Sequence, residues 1–418
     1  MQKLLIKGKK ELNGTIPISG SKNATLPILA ASILTHKVIL TNVPMVKDIF
    51  TMLDLLKFIG LKIKVLNKKK IIEIKNINSK INTLAPYKLV KTMRAGVLVL
   101  GPLLTKYKKA KVSLPGGCAI GTRPVNLHLF ALKKLGAKIK IKDGYIIAEA
   151  KKGLKGTNIK FPSISVGATE NAILAAFGSK GKTVLSNCAI EPEIKDLINF
   201  LKKLGCKITS FGRKITILGK SSKKENINHK IIFDRIEGGT FLIAGALIGR
   251  KLIIKDIEPK ILKFEINLLK RMGVKIITTK KSITIFKSTK LKSINISTKP
   301  FPGFPTDLQA QLMVLMTQVK GVSKIKENIF ENRFMHVPEL KRMGAQIEIR
   351  DKTAYIKGPS KLNGAEVMAT DLRASVSLVL AGLIADNRTI VNRIYHLDRG
   401  YEVLEDKLKN CRANIKRV

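Results

Sequence analysis

At 418 residues the chain is too long for one ordinary hydrophobic core, and two domains are expected. Hydrophobic residues make up 45% of it and aromatic residues only 5%, with no Trp, which describes an aliphatic globular interior and argues against disorder. The formal net charge of +49 suggests nucleic acid or a membrane surface. Against that, the basic residues are spread along the whole chain, and the interleaved aromatics needed for base stacking are few. Lys outnumbers Arg by 63 to 15, and Ile and Asn are abundant. These three have AT-rich codons, so the charge reads as compositional drift over solvated faces. Each Arg then marks a position where a planar, bidentate fork matters. No apolar run is long enough to cross a bilayer, and MQKLLIKGKKELNG does not read as a signal peptide. Cys118, Cys188, Cys206 and Cys411 have neither metal nor framework spacing, so a cytoplasmic protein with reduced thiols is expected. The histidines, His128, His336 and His396 among them, are not spaced as metal ligands, and no metal or cofactor is expected.

The chain opens with a strand-like segment, LLIKGKKELNGTIPI, and then repeats itself. An apolar, small-residue helix comes first in each copy: SKNATLPILAASIL, KTMRAGVLVLGPLL, GATENAILAAFG, EGGTFLIAGALI, TDLQAQLMVLMTQ and TDLRASVSLVLAGLI. Apolar almost all round, these should be buried. A short strand follows each, as in VILTNVP, TVLSNCA or TIVNRIY. A second, amphipathic helix then stops and runs into an alternating Lys-Ile strand, as in ALKKLGAKIKI or LLKRMGVKIIT. The stops are Gly60, Gly136, Gly205, Gly273 and Gly344, with Arg412 in the sixth place, at spacings of 68 to 76 residues. Glycine after the last turn supplies a left-handed cap, and the alternation that follows is a half-buried strand.

Six units of helix, strand, helix and strand divide naturally into three and three. The seam falls after the polar loop SSKKENINHK. Residues 22–230 should form one three-repeat domain, and residues 1–21 with 231–418 the other. The left-over N-terminal strand would complete the second domain, and a cleft between two matching domains is the expected place for a substrate.

Periodicity does not explain Leu114–Leu129, LPGGCAIGTRPVNLHL. Pro115, Gly116 and Gly117 rule out a regular element and put Cys118 on a loop. Arg123, five residues on, would favour the thiolate. A buried structural cysteine in a turn is the alternative that these residues alone leave open.

Six such units, with SGSKNATLPILAA and PGGCAIGTRPVNLHL, resemble the enolpyruvyl transferases. Within them the chain is most similar to the branch acting on UDP-N-acetylglucosamine. FPTDLQAQ, ENRFMHVPELKRMGA, ATDLRASVSLVLAG and RIYHLDRGYEVLEDKL extend the likeness over the whole chain. The resemblance implies an α/β fold of two inside-out, barrel-like domains, each of three βαβαββ units. It implies transfer of the enolpyruvyl group of phosphoenolpyruvate to the 3′-hydroxyl of the sugar nucleotide, by addition and then elimination of phosphate. That chemistry needs a proton at C3, a base for the sugar hydroxyl, and cations for the substrate and the departing phosphate. The partners implied are these two small molecules, with no specific nucleic acid, membrane or obligate protein.

The same resemblance assigns residues. Cys118 becomes the general acid, the carrier of a phosphoenolpyruvate adduct and the residue that fosfomycin alkylates. Lys22 and Asn23, at a helix N-terminus suited to anions, would hold phosphoenolpyruvate together with Arg123 and Arg399. Arg373 would stabilise the reacting phosphate, Arg94 would contact the nucleotide sugar, Ile329 and Phe330 would line the sugar pocket or, read equally well, the core, and Arg333 falls inside a matching motif as a further site residue. Arg123, Pro124, Val125, Asn126 and Leu127 would take the uridine, and Ser163, Ile164, Ser165 and Val166 the diphosphate. Asp307 would be the base; read from its own position, after Pro305 and Thr306 at a helix opening, it is a plain N-cap. The pattern is broken at Asn126, where Asp is usual, at Ser163, where some members have Lys, and at Leu98, where some have Trp. The sister enzymes that use shikimate 3-phosphate lack the PGGC loop, so Cys118 argues against that branch.

Overall fold

The computed structural model describes residues 2–77, 81–116, 125–220 and 226–418. Two compact units divide the chain at Ser19/Gly20 and at Ile232/Phe233. The first unit runs from Gly20 to Ile232, and the second joins the N-terminal segment to Phe233–Val418. Each has its own aliphatic core, one reaching from Ala24 to Ile231 and the other from Leu4 to Ile415.

The apolar segments of the repeat form six helices: α1 (Lys22–Ala31), α2 (Leu100–Tyr107), α3 (Val166–Ala176), α4 (Arg235–Ile248), α5 (Gln309–Met316) and α6 (Leu372–Ile384). With apolar side chains on every face, they are stable only where every face is covered. All of α5 is buried, as is α6 beyond Leu372. In the second unit α4, α5 and α6 pack on one another. In the first, α3 packs against α1 and α2. There Gly101 is required: a Cβ on it would lie 2.6 Å from Asn171 Oδ1 on the facing helix.

The described residues form six four-stranded sheets, three to a unit. In the first, Lys37–Thr41 pairs antiparallel with Ile71–Lys75, which pairs antiparallel with Lys62–Leu66. On its other side Lys37–Thr41 takes Asn226–Lys230 as a parallel neighbour. The sister sheets draw that parallel strand from just before their own helix, as when Asn158–Lys160 pairs with Thr183–Ser186. The unit's first repeat has no such strand, and the end of the unit returns to supply it. The second unit solves the same problem with the N-terminus. Leu12–Pro17 lies parallel to Gly249–Lys255, and Leu4–Lys7 sits between Arg388–Asn392 and Asn414–Arg417. Alternate residues are buried, as in Lys37–Thr41 and in Gly321–Lys326, where the intervening Lys324 and Lys326 are left to solvent.

The amphipathic helices end where the repeat predicts. Gly60, Gly136, Gly205, Gly273 and Gly344 have φ between 89° and 120°, and Arg412, in the sixth place, takes φ 74° without a glycine. Two apolar segments differ from expectation at their openings. Arg94–Val99 and Thr306–Leu308 are 3-10 turns, and the α-helices begin only at Leu100 and Gln309. Gly96, Val97 and Val99 are weak α-formers, and Pro102 fits only a first turn, where no donor is missed. No helix among the described residues is long and apolar enough to cross a membrane.

Candidate active site

In the first unit, Ser21 caps α1, its hydroxyl oxygen accepting from the Ala24 N–H at 3.2 Å. This sets Lys22 at the first helical position. Its Nζ lies 3.1 Å from Asp48 Oδ2, in the first turn of Lys47–Ile59. The Lys22 side chain is 11% exposed, and among the described residues that of Lys407, at 10%, is buried as deeply. A solvated surface role is thereby excluded, since burying an ammonium is costly without a partner. Asn23 beside it is half-buried.

Ser165 caps α3 in the same manner, its hydroxyl oxygen accepting from Ala168 N–H and its carbonyl from the Thr169 hydroxyl. Ser163 is exposed, while Ile164 and Val166 are half-buried. The cap leaves the Val166 and Gly167 N–H groups at the helix start without partners among the described residues. Asn126 opens a helix, Asn126–Lys134, as an exposed residue, with Val125 buried before it and Leu127 half-buried after it. Arg94 opens its 3-10 turn half-buried, and its charge acts on the buried His128. Leu98 is core. Cys118, Arg123 and Pro124 lie outside the described residues. The other cysteines are free and buried, and burial pushes the thiols of Cys188 and Cys206 up to about 12 and that of Cys411 to about 11. None of these three suits thiolate chemistry.

The second unit brings Asp307, Arg333 and Arg373 together. Arg333 donates to Asp307 Oδ1 at 2.9 Å, and Arg373 donates to Oδ2 at 3.1 Å. Both guanidiniums are about 95% buried, while the carboxylate is 27% exposed. Neither the 3-10 turn at Asp307 nor α5 has a side-chain cap, so the plain N-cap reading of this residue is wrong. Its position faces the aspartate toward two arginines, one of them 66 residues away in sequence.

Arg373 also donates to the Tyr401 hydroxyl at 3.2 Å and lies over its ring. Burial works against the Arg373 charge, but Asp307, Tyr401 and Asp234 together outweigh it, and the pKa is raised above its usual value. The Tyr401 hydroxyl meets that of Thr240 at 2.8 Å, and Gln311 Nε2 donates to Thr240 at 3.2 Å and to the Asp307 carbonyl at 3.0 Å. A second carboxylate, Glu327, sets the neighbouring loop. Its Oε1 accepts from the Thr298 hydroxyl and from the Ile329 and Phe330 N–H groups, and its Oε2 from the Thr306 hydroxyl. Ile329 is thus held at 37% exposure rather than in the core, and Phe330 lies beneath Arg333. Arg399 ends a 3-10 turn half-buried. Tyr401, Thr240, Gln311, Glu327 and Asp48 escape the sequence reading. Only Tyr401 carries a local signal, two residues beyond Arg399.

No group of three or more His, Cys, Asp or Glu able to hold a metal occurs among the described residues. A carboxylate between two dry guanidiniums, with a buried lysine elsewhere, suits anionic substrates and proton transfer.

Comparison with known proteins agrees with this class of site. The family model for EPSP synthase (3-phosphoshikimate 1-carboxyvinyltransferase) matches residues 6–408. A UDP-N-acetylglucosamine 1-carboxyvinyltransferase of Pelagibacter ubique (strain HTCC1062) is 60% identical over 420 residues, covering all of both chains. One from Rickettsia felis (strain ATCC VR-1525 / URRWXCal2) is 54% identical over 423 residues, again over all of both. Among solved structures, the enolpyruvyl transferase NikO from Streptomyces tendae matches with a TM-score of 0.88 at 24% identity, covering 100% of this chain and 99% of the other. An EPSP synthase from Acinetobacter baumannii matches at 0.76 and 17%, over the full length of both. These structural likenesses bear on the fold alone. The chain belongs to the EPSP synthase family of carboxyvinyltransferases.

Proposed function

We propose that this protein transfers the enolpyruvyl group of phosphoenolpyruvate to the 3′-hydroxyl of UDP-N-acetylglucosamine with release of phosphate, the first committed step of peptidoglycan synthesis. The observation that carries this is the 60% identity, without truncation on either side, to a relative bearing that name. The reaction belongs in the cytoplasm, and its partners are the two small molecules.

The roles follow from chemistry. Asp307 takes the hydroxyl proton: it is a carboxylate, held by a guanidinium hydrogen at each oxygen and still 27% exposed. Arg373, charged and dry, stabilises the phosphate as it departs, and Arg333 holds the carboxylate in plane. Lys22 and Asn23 bind phosphoenolpyruvate at the start of α1, where helix N–H groups and the ammonium both favour an anion, with Arg123 and Arg399 as its other cations. Cys118 delivers the proton to C3, which makes C2 electrophilic toward the sugar oxygen. Arg94 and the Val125–Leu127 and Ser163–Val166 segments bind the sugar nucleotide.

The test is phosphate release from phosphoenolpyruvate, with and without UDP-N-acetylglucosamine, in wild type and Cys118→Ala. Release should require both the sugar nucleotide and Cys118. Sugar-dependent release in Cys118→Ala would remove the acid role; release with shikimate 3-phosphate alone would replace the substrate.

A further inference from the structure

Glu327 follows the strand Gly321–Lys326 and is 2% exposed, and no step of the proposed reaction falls to it. A carboxylate leaves water only where donors meet its oxygens. Oε1 accepts from the Thr298 hydroxyl at 2.8 Å and from the Ile329 and Phe330 N–H groups at 2.8 and 3.1 Å. Oε2 accepts from the Thr306 hydroxyl at 2.9 Å. None of these four donors is a cation. Glu327 is a junction of chain segments rather than half of an ion pair.

The segments it joins carry groups of the reaction. Thr306 opens the 3-10 turn whose second residue is Asp307, and that turn has no side-chain cap. Ile329 and Phe330 belong to the loop expected to line the sugar pocket. Thr298, at the end of Asn295–Ser297, braces that loop again by accepting from the Asn328 N–H at 2.9 Å. At the far end of the loop Arg333 donates to Asp307 Oδ1 at 2.9 Å. The loop from Glu327 to Arg333 is therefore fastened to the Thr306–Asp307 turn at both ends. The two arginines hold the Asp307 carboxylate itself. The backbone that carries it is tied by Gln311 at the Asp307 carbonyl and, one residue earlier, by the Thr306 hydroxyl. A base held this way from both sides keeps its aim on the proton it removes.

We propose that Glu327 is a positioning residue for Asp307: through the Thr306 hydroxyl it locks the aspartate's turn and the Ile329–Phe330 loop into one piece. The inference rests on the reading of Asp307 as the base for the sugar hydroxyl.

The test is steady-state phosphate release by the full chain, with phosphoenolpyruvate saturating and UDP-N-acetylglucosamine varied. The variants are Thr306→Val, Thr306→Ser, Glu327→Gln and the double variant Thr306→Val/Glu327→Gln, each assayed well below its urea midpoint. Valine keeps the branched shape without the hydroxyl, and serine keeps the hydroxyl. Thr306→Val should lower kcat roughly tenfold or more, with the KM for the sugar nucleotide within about threefold of wild type. Thr306→Ser should stay within about threefold of wild type in both. Glu327→Gln keeps an oxygen for the Thr298, Ile329 and Phe330 donors and offers Thr306 only a neutral amide, so kcat should fall by roughly three- to tenfold at unchanged KM. The double variant should be about as slow as Thr306→Val alone, because both substitutions remove one bond. Should Thr306→Val fold poorly, Glu327→Gln carries the same separation of kcat from KM. A merely structural role would lower the urea midpoints and leave kcat untouched. Wild-type kcat in Thr306→Val and Glu327→Gln, an equal loss in Thr306→Ser, or losses that multiply in the double variant overturn the inference and leave the substrate reading intact. Failure of wild type to release phosphate with the sugar nucleotide overturns that reading, and this inference with it.

Discussion

Arg373→Lys keeps the charge at the centre of the second unit's network and removes the fork. The guanidinium makes two bonds at once, to Asp307 Oδ2 at 3.1 Å and to the Tyr401 hydroxyl at 3.2 Å. An ammonium on a flexible stem satisfies one of them. The loss of one charge-assisted bond in a buried setting is about 1.5–3 kcal/mol. Because the proposed mechanism has this group serve both Asp307 and the departing phosphate, the loss should appear as a fall in kcat of roughly ten- to hundredfold. Tyr401→Phe is the graded control. Without the tyrosine hydroxyl, Thr240 still donates to the Ile236 carbonyl at 2.8 Å, and Gln311 still reaches the Asp307 carbonyl at 3.0 Å. Arg373 Nη1 loses its acceptor, and the ring remains under the guanidinium. The cost should be about 1–3 kcal/mol in urea unfolding, with a fall in kcat of less than tenfold. Steady-state phosphate release at saturating sugar nucleotide measures both variants. Wild-type kcat in Arg373→Lys, or a larger loss in Tyr401→Phe than in Arg373→Lys, would refute the reasoning.

Three further predictions concern the scaffold. Arg412→Gly, at φ 74°, should raise the urea midpoint by the equivalent of roughly 0.5–1 kcal/mol, because glycine takes that conformation without strain; no change would mean that the cap is unstrained. Glu327→Gln retains an acceptor for the Ile329 and Phe330 N–H groups, whereas Glu327→Ala strands both, so the alanine variant should melt several degrees below the glutamine one. Burial lowers His128 to about 3 and His336 to about 4, below their unfolded values. A lowered folded pKa gives stability that is fully present above the unfolded pKa, near 6.5, and lost as pH falls toward the folded one. Wild type should therefore lose stability relative to His128→Gln between about pH 6.5 and pH 3, read from paired urea curves; parallel pH profiles would deny a buried neutral His128.

The repeat was legible because it is local. A helix, a left-handed stop and a Lys-Ile alternation lie within a dozen residues of each other, and each has its own physical signature. Even Arg412, where the glycine is missing, takes the conformation that its place in the repeat requires. The 3-10 openings at Arg94 and Thr306 were not legible, since the choice between two tight helices depends on packing. The site was legible in its residue types but not in its wiring. Asp307 looked like a cap because caps are local, and its actual partners lie 26 and 66 residues on, one in the same repeat and one in the next. Lys22 was one lysine among many until its burial against Asp48 set it apart from the solvated ones. Glu327 and Asn171 organise backbone rather than substrate, and nothing in a run such as KENIF or TENAI announces that.

The most direct test is the structure of the product. Incubation with phosphoenolpyruvate and UDP-N-acetylglucosamine, followed by proton and phosphorus NMR, should show an enolpyruvyl ether on the 3′-oxygen of the sugar, formed in equal amount with free phosphate. Phosphate released with the sugar nucleotide unmodified, or an enolpyruvyl group on shikimate 3-phosphate instead, would contradict the account.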